Sequence, residues 1–260
     1  MIELVALGTS SQVPTRHRNH NGYLLRFGDV DFLFDPGEGT QRQLARARIS
    51  LDRVQRVFLT HFHGDHSLGL AGVMRLLSDC APAHPIRFHF PRSGMKFFER
   101  AQEACIYEQR AELVAEPVDG PGPLFDDGRF AVRAERLSHG VPVFGYRLET
   151  TAEDGRPFTF SFSMDTRLCA GARALAHGAD VLVSECTYLM SEAKEAKERG
   201  HMTARHAAKM ASEEGTAHLI LSHFSQRHPS NGPFLQEARA FHPKVTALED
   251  LKTYPLAPGA

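Results

Sequence analysis

The chain has 260 residues, 42% hydrophobic and 23% charged, as is ordinary for a soluble globular α/β protein with a sizeable core. Its formal net charge of −1 gives no global basic signature, so bulk charge does not point to nucleic acid. Arginine supplies most of the 30 basic residues, and 15 histidines are more than a domain of this size usually carries. The start, MIELVALGTSSQ, lacks the basic region and long apolar core of a signal peptide. No run of apolar residues is long enough to span a membrane. Cys80, Cys105, Cys169 and Cys186 are scattered without a CxxC pair and read as reduced thiols, which places the protein in the cytoplasm.

Along the chain, IELVALG reads as a first strand. YLLRFG and VDFLFDPG read as a hairpin around Gly28-Asp29, the second strand halted at Pro36-Gly37. EGTQRQLARAR is a short helix and RVQRVFLT a central strand. HSLGLAGVMRLLS has apolar residues at helical spacing, with Gly69 and Gly72 permitting close packing. PIRFHF is a strand and GMKFFERAQEACIYEQ a helix. From AELVAEPV to FTFSFS the pattern is mostly strand, with GPGPLFDDG as a loop and TAEDGRP as a hairpin turn. Helix and strand then alternate through AGARALAHG, ADVLVSE, TARHAAKMASEEG and AHLILSH. The helix GPFLQEARAF and the short strand VTALE close the series. No repeat of solenoid length occurs. The layout suits two sheets packed together with helices outside, one domain over residues 1–260.

The densest chemistry lies in HFHGDH. In an extended segment His61 and His63 point the same way, and Gly64 lets the backbone turn to present Asp65 and His66 elsewhere. One ion could not comfortably use all four side chains, whereas two adjacent ions could. Imidazole and carboxylate without thiolate suit zinc or manganese in a catalytic rather than a structural site. The competing reading, a histidine-rich surface loop, sits poorly with a strand that runs straight into the cluster. A two-metal site needs further ligands from other strand ends, including a bridging carboxylate. His139, Asp165 and His223 each follow a strand and are the candidates.

The sequence resembles the metallo-β-lactamase superfamily and, within it, the ribonuclease Z family of tRNA 3′-processing endonucleases. The resemblance rests on LGTSSQVPTRHRNHNGYLL, FLFDPGEGTQRQL, LTHFHGDHSLGLAG, LSHGVPVFGYRL, SMDT, SECTY, GHMTARHAA and LSHFSQRH. It implies a four-layer αββα metallo-β-lactamase sandwich. It also implies two Zn2+ per chain, with Mn2+ as an alternative. His61, His63 and His139 would hold one zinc, Asp65, His66 and His223 the other, and Asp165 would bridge them. Asp65, His201 and Glu185 would be catalytic, the glutamate orienting His201 near the scissile phosphate. The implied reaction is removal of 3′ trailers from precursor tRNA, leaving a 3′-hydroxyl and a 5′-phosphate, by a homodimer. Arg16, Arg18 and Asn19 are candidate substrate contacts. Arg42, Arg46 and Arg48 read more simply as a solvated helix face, and Phe62 and Met164 as packing residues.

The sequence departs from the family pattern in its outer parts. Between His139 and Asp165, GVPVFGYRLETTAEDGRPFTFSFSM has room for two strands and a turn but not for the long tRNA-gripping arm. Val143 stands where the family has serine, and His228 where it has tyrosine. A small or cyclic phosphodiester, or an arylsulfatase-like substrate, is therefore the alternative to precursor tRNA. A noncatalytic RNA- or partner-binding domain is a third reading, opposed by the complete ligand set.

Overall fold

The computed structural model describes residues 2–258. It divides into two compact units, one running to Asp119 and including Glu249–Pro255, the other Gly120–Leu248 with the residues from Leu256 onward.

Unit one contains β1 (Ile2–Gly8), β2 (Gly22–Phe27), β3 (Val30–Phe34), α1 (Thr40–Ala47), β4 (Val54–Phe58), α2 (Gly64–Ser67), α3 (Leu70–Cys80), β5 (Ile86–Pro91), α4 (Met95–Gln102) and β6 (Leu113–Val118). With β14 (Thr253–Leu256) these strands form a seven-stranded sheet, order β14-β1-β2-β3-β4-β5-β6. The pairs from β1 to β3 are antiparallel and those from β3 to β6 parallel. Val5 and Leu7, two residues apart, face the same side and join Leu24, Leu33 and Val57 in one buried cluster. Leu44 of α1 and Leu70, Val73, Met74 and Leu77 of α3 cover that face. Each such side chain contributes roughly 1.5–3 kcal/mol on burial. Gly69 abuts the loop after β3, where a Cβ would come within 2.0 Å of the Gly37 carbonyl oxygen.

Unit two contains β7 (Gly122–Asp126), β8 (Phe130–Arg136), β9 (Phe144–Thr151), β10 (Pro157–Ser163), α5 (Ala170–Ala176), β11 (Val181–Glu185), α6 (Ala193–Arg199), α7 (Ala204–Glu213), β12 (His218–Ser222), α8 (Gly232–Arg239) and β13 (Val245–Ala247). Its sheet runs β13-β12-β11-β10-β9-β8-β7, antiparallel from β7 to β10 and parallel from β10 to β13. Small side chains let α7 pack closely, with Ala204, Ala207, Ala208 and Ala211 buried beside Leu219, Leu221 and Phe234. The hydroxyl of Thr203 caps α7 by accepting the His206 amide at 3.2 Å.

Three expectations from the sequence change. GPGPLFDDG is not a loop, because Gly122–Asp126 pairs with β8 as the edge strand of its sheet. An edge position leaves one side of the strand unpaired, so Pro123 is tolerated there. The helix expected over GMKFFERAQEACIYEQ stops at Gln102, and Glu103–Ile106 are exposed, Ile106 fully so. Without an apolar face to bury, nothing extends the helix. The helix expected from His66 is split into a single turn, α2, and the longer α3.

Because β3 and β4 are parallel in one sheet, and β10, β11 and β12 in the other, their C-terminal ends lie on one edge of each sheet. Such an edge is where open α/β sheets gather functional side chains.

Candidate metal centre

In unit one the edge is built from the loops after β3 and β4. His61 and His66 are fully buried, Asp65 is buried and His63 half-buried. Nε2 of His61 lies 3.0 Å from Nδ1 of His63, and the rings of His61 and His66 are 4.2 Å apart. Nε2 of His66 lies 3.4 Å from an Asp65 oxygen. All four histidine and aspartate side chains of HFHGDH therefore meet. Gly64 opens α2 and is not among the positive-φ glycines, so the turn after His63 is a helix start rather than a glycine bend.

Behind this cluster stands a layer that the sequence reading did not select. Asp35, fully buried, accepts hydrogen bonds from the Thr60 amide at 2.7 Å and the Thr60 hydroxyl at 2.8 Å, and holds Nδ1 of His66 at 2.8 Å. The Thr60 hydroxyl also lies 3.0 Å from Nδ1 of His61. The Tyr23 hydroxyl donates to Asn21, whose amide nitrogen is 3.3 Å from Nε2 of His66. In the sequence, an aspartate directly after the buried strand VDFLF was the available signal, but the following Pro-Gly gave it the look of a turn residue.

Unit two brings together His139, Asp165, Glu185, His201 and His223. The two carboxylate oxygens of Asp165 face different rings, Oδ1 at 3.0 Å from Nε2 of His223 and Oδ2 at 3.6 Å from Nε2 of His139. Nδ1 of His139 donates to the Gly200 carbonyl at 2.9 Å. Asp165, His201 and His223 offer ligand atoms close enough together to hold an ion. Of six described non-glycine residues with positive φ, three are Asp35, Asp165 and His223, with φ of 43°, 25° and 61°. Backbone held in this disfavoured region re-aims each side chain off the end of its strand.

Glu185 is fully buried, yet it accepts hydrogen bonds from the amides of Thr166 (2.6 Å), Met202 (3.2 Å) and Thr187 (3.3 Å), and from the Thr187 hydroxyl (2.7 Å). Its other contact is Nδ1 of His201 at 3.0 Å. Burial, the largest single influence, raises its pKa, but the charge and hydrogen bond of His201, with His223 adding, together hold the carboxyl below its ordinary range. Burial opposes protonation of His201, yet the Glu185 carboxylate, helped by Asp165, raises its pKa. Each partner thus favours the charged form of the other.

The donor chemistry fits a divalent ion. His66, His61, His139 and His223 have Nδ1 against a carboxylate, a hydroxyl, a carbonyl and a hydroxyl respectively, which leaves Nε2 for a metal.

The candidate substrate residues separate. Arg16 is exposed on the loop after β1. Arg18 and Asn19 are buried, and the Asn19 side chain donates to the Glu38 carbonyl at 2.7 Å while its amide donates to Asp250 at 2.6 Å. Arg42 reaches the Asn19 side chain at 3.4 Å, and Arg46 bonds Gln43 at 3.0 Å. Met164 is fully buried, and Phe62 packs against Phe90 and Phe97. Val143 is also core, and His228 is held at 2.9 Å by Glu192. All four cysteines are free thiols.

Comparison with known proteins follows the same lines. Residues 31–224 match the model of the beta-lactamase superfamily domain. Ribonuclease Z of Streptomyces avermitilis is 42% identical over 293 aligned positions, covering 98% of this chain and 97% of the relative. Ribonuclease Z of Nocardia farcinica is 42% identical over 299 positions, covering 98% of each. The chain belongs to the ribonuclease Z family. Among solved structures, human tRNase Z, short form, superposes with a TM-score of 0.82 at 29% identity, covering 98% of this chain and 99% of that one. The fold is accordingly the metallo-β-lactamase fold, two mixed sheets flanked by helices. The alignments with these two ribonucleases Z are longer than the 260 residues of this chain, so those relatives carry segments that it lacks. No helix among the described residues is long and apolar enough to cross a membrane.

Proposed function

We infer that this protein is a metal-dependent endoribonuclease that removes 3′ trailers from precursor tRNA. The observation that carries this is the intact set of histidine and aspartate side chains at the sheet edges of a ribonuclease Z family chain. Two Zn2+ ions, with Mn2+ as the alternative, suit the donors, which include no thiolate. His61, His63 and His139 would hold one, Asp65, His66 and His223 the other, with Asp165 shared. Bound zinc supplies a water acidified toward neutral pH and positive charge against the phosphate.

The protein's own groups complete the reaction. Asp65 orients the attacking water and takes its proton. The water oxygen bonds to phosphorus as the bond from phosphorus to the 3′-oxygen breaks. His201, held cationic by Glu185, gives its proton to that leaving oxygen. The products are a 3′-hydroxyl and a 5′-phosphate. Arg16 is the exposed candidate for a backbone phosphate contact. The protein is read as a cytoplasmic homodimer, with no membrane role.

A small or cyclic phosphodiester is the second reading, favoured by one observation, that the chain lacks segments its longer relatives have. The deciding experiment incubates the zinc-loaded protein with 3′-extended precursor tRNA and, separately, with bis-p-nitrophenyl phosphate, using Asp65→Ala as the blank. Cleavage of the precursor at one position near the discriminator base supports the first reading. Turnover of the aryl diester alone supports the second, and no turnover of either overturns both.

A further inference from the structure

Asp35 and Glu185 stand in different units and on different kinds of local chain, yet each holds two imidazoles in the same manner. One oxygen of Asp35 takes Nδ1 of His66 directly at 2.8 Å and reaches Nδ1 of His61 through the Thr60 hydroxyl, at 2.8 Å and then 3.0 Å. Glu185 takes Nδ1 of His201 directly at 3.0 Å and reaches Nδ1 of His223 through the Thr187 hydroxyl, at 2.7 Å and then 2.7 Å. Both threonines also give their backbone amides to the same carboxylates.

The direction of these bonds is fixed by what each group can do. An ionised carboxylate only accepts, so the single hydroxyl proton of each threonine points at it. The hydroxyl oxygen can then only accept from a ring it faces, which for Thr60 is His61 and for Thr187 is His223 at 2.7 Å, with Nδ1 of His201 farther off at 3.2 Å. Nδ1 of His61 and of His223 must therefore carry hydrogen, and Nε2 must carry the lone pair. A threonine that merely filled space would not need this hydrogen-bonded chain. The two chains are also built by separate routes. Asp35 follows β3 and meets a threonine that follows the neighbouring strand β4, whereas Glu185 and Thr187 are two residues apart on one stretch. Arrival at one pattern from two backbones points to a requirement of the site rather than to a local accident.

We propose that Thr60 and Thr187 are paired positioning residues, each transmitting a buried carboxylate to a metal-binding histidine and locking that ring to present Nε2. The inference rests on the reading that His61 and His223 bind metal.

The test uses the full chain as Thr60→Val, Thr60→Ser, Thr187→Val and Thr187→Ser. Zinc affinity is measured by competition with a chromophoric chelator, and thermal melts report folding. Each valine variant, isosteric but without the hydroxyl, should bind zinc about 10–100-fold more weakly, as loss of a ligand's supporting hydrogen bond does elsewhere, and serine should restore binding. Nitrogen-15 NMR of the zinc-loaded wild-type protein should place the proton of His61 and His223 on Nδ1, a readout that stands even if a valine variant fails to fold. Valine variants that bind zinc as tightly as serine variants would overturn the proposal, as would zinc on Nδ1 of either ring. A wild-type protein that takes up no zinc would bring down the proposed function with it, whereas tight zinc with indifferent threonines would bring down this inference alone.

Discussion

Nδ1 of His201 lies 3.0 Å from Oε1 of Glu185, and that carboxylate is held by three backbone amides as well. The charge and hydrogen bond of His201 hold the Glu185 carboxyl below its ordinary range against burial, and the Glu185 carboxylate in turn raises the pKa of His201. Glu185→Gln preserves the shape and removes the charge. His201 should then lose its proton at lower pH than in the wild type, so the alkaline limb of kcat moves toward acid. Loss of the acid as a whole, in His201→Ala, should reduce kcat by about 10²–10⁴-fold with little change in KM. A pH–rate profile of Glu185→Gln superimposable on the wild type would dismiss the pairing.

Metal removal should abolish turnover without unfolding the chain. The core clusters of both units consist of apolar side chains and include none of the proposed ligands, so the fold does not depend on the ion as a small zinc module does. Chelation should eliminate hydrolysis of bis-p-nitrophenyl phosphate, and added Zn2+ should restore it. The melting temperature should rise with zinc concentration, by the linkage that yields about 2.7 kcal/mol at a hundred times Kd. Activity that survives exhaustive chelation would rule out the metal-dependent reading.

The sequence made the centre legible to different depths. His61, His63, Asp65 and His66 stand together in one hexapeptide, and a strand leads into them, so their chemistry is visible as text. His139, Asp165 and His223 are single residues that gain meaning only from the sheet, in which β8, β10 and β12 run the same way and bring their ends to one edge. Asp35 and Thr187 were not selected, because their roles exist only in partners drawn from separate strands and loops. Asn19 misled in the opposite sense, since a polar residue in an arginine-rich loop reads as a contact but its side chain is engaged with the Glu38 carbonyl. Strand β7 was hidden by GPGP, whose prolines are compatible with an edge strand.

Arg16 and Arg18, two residues apart, should respond differently to alanine. Arg16 is exposed, so Arg16→Ala should weaken precursor tRNA binding, raise KM and reduce its salt dependence, while leaving hydrolysis of a small diester unchanged. Arg18 is buried beside Asp250, whose carboxyl is pushed up to about 6 by burial against the lowering effect of Asn19, Thr9 and Arg18. Arg18→Ala should therefore lower stability as well as activity toward both substrates. Equal effects of Arg16→Ala on tRNA and on the aryl diester would remove it from the RNA contact surface.

His89 carries a pH prediction distant in kind from catalysis. Its buried ring stacks on Phe58 with centroids 4.8 Å apart, and Nε2 lies 3.2 Å from an Arg56 nitrogen. Burial, with Arg56 and Arg87 adding, pushes its pKa down from 6.5 to about 3. Above pH 6.5 the ring is neutral in both folded and unfolded chains, so its contribution is intact. As pH falls from 6.5 toward 3 the unfolded chain takes up the proton first and stability is lost, on the order of 4 kcal/mol. Urea unfolding of His89→Gln across that window should have a shallower pH dependence than the wild type. Parallel curves would mean that His89 does not titrate as its surroundings require.

Gly200 joins the end of α6 to His201 and supplies the carbonyl that fixes His139. Its φ is +83°, and a Cβ there would stand 2.8 Å from Nδ1 of His139, the atom whose hydrogen bond holds the ring. Gly178 offers the matching control, since its φ is +58° but a Cβ would meet nothing within 4 Å. Both Gly200→Ala and Gly178→Ala carry the left-handed backbone penalty, about 1–2 kcal/mol. Only Gly200→Ala also displaces an imidazole whose Nε2 faces Asp165. Unfolding measurements should therefore give comparable stability losses, while zinc affinity and turnover should fall in Gly200→Ala and remain near wild type in Gly178→Ala. If the two variants lose activity alike, the Gly200 carbonyl has no particular part in aiming His139.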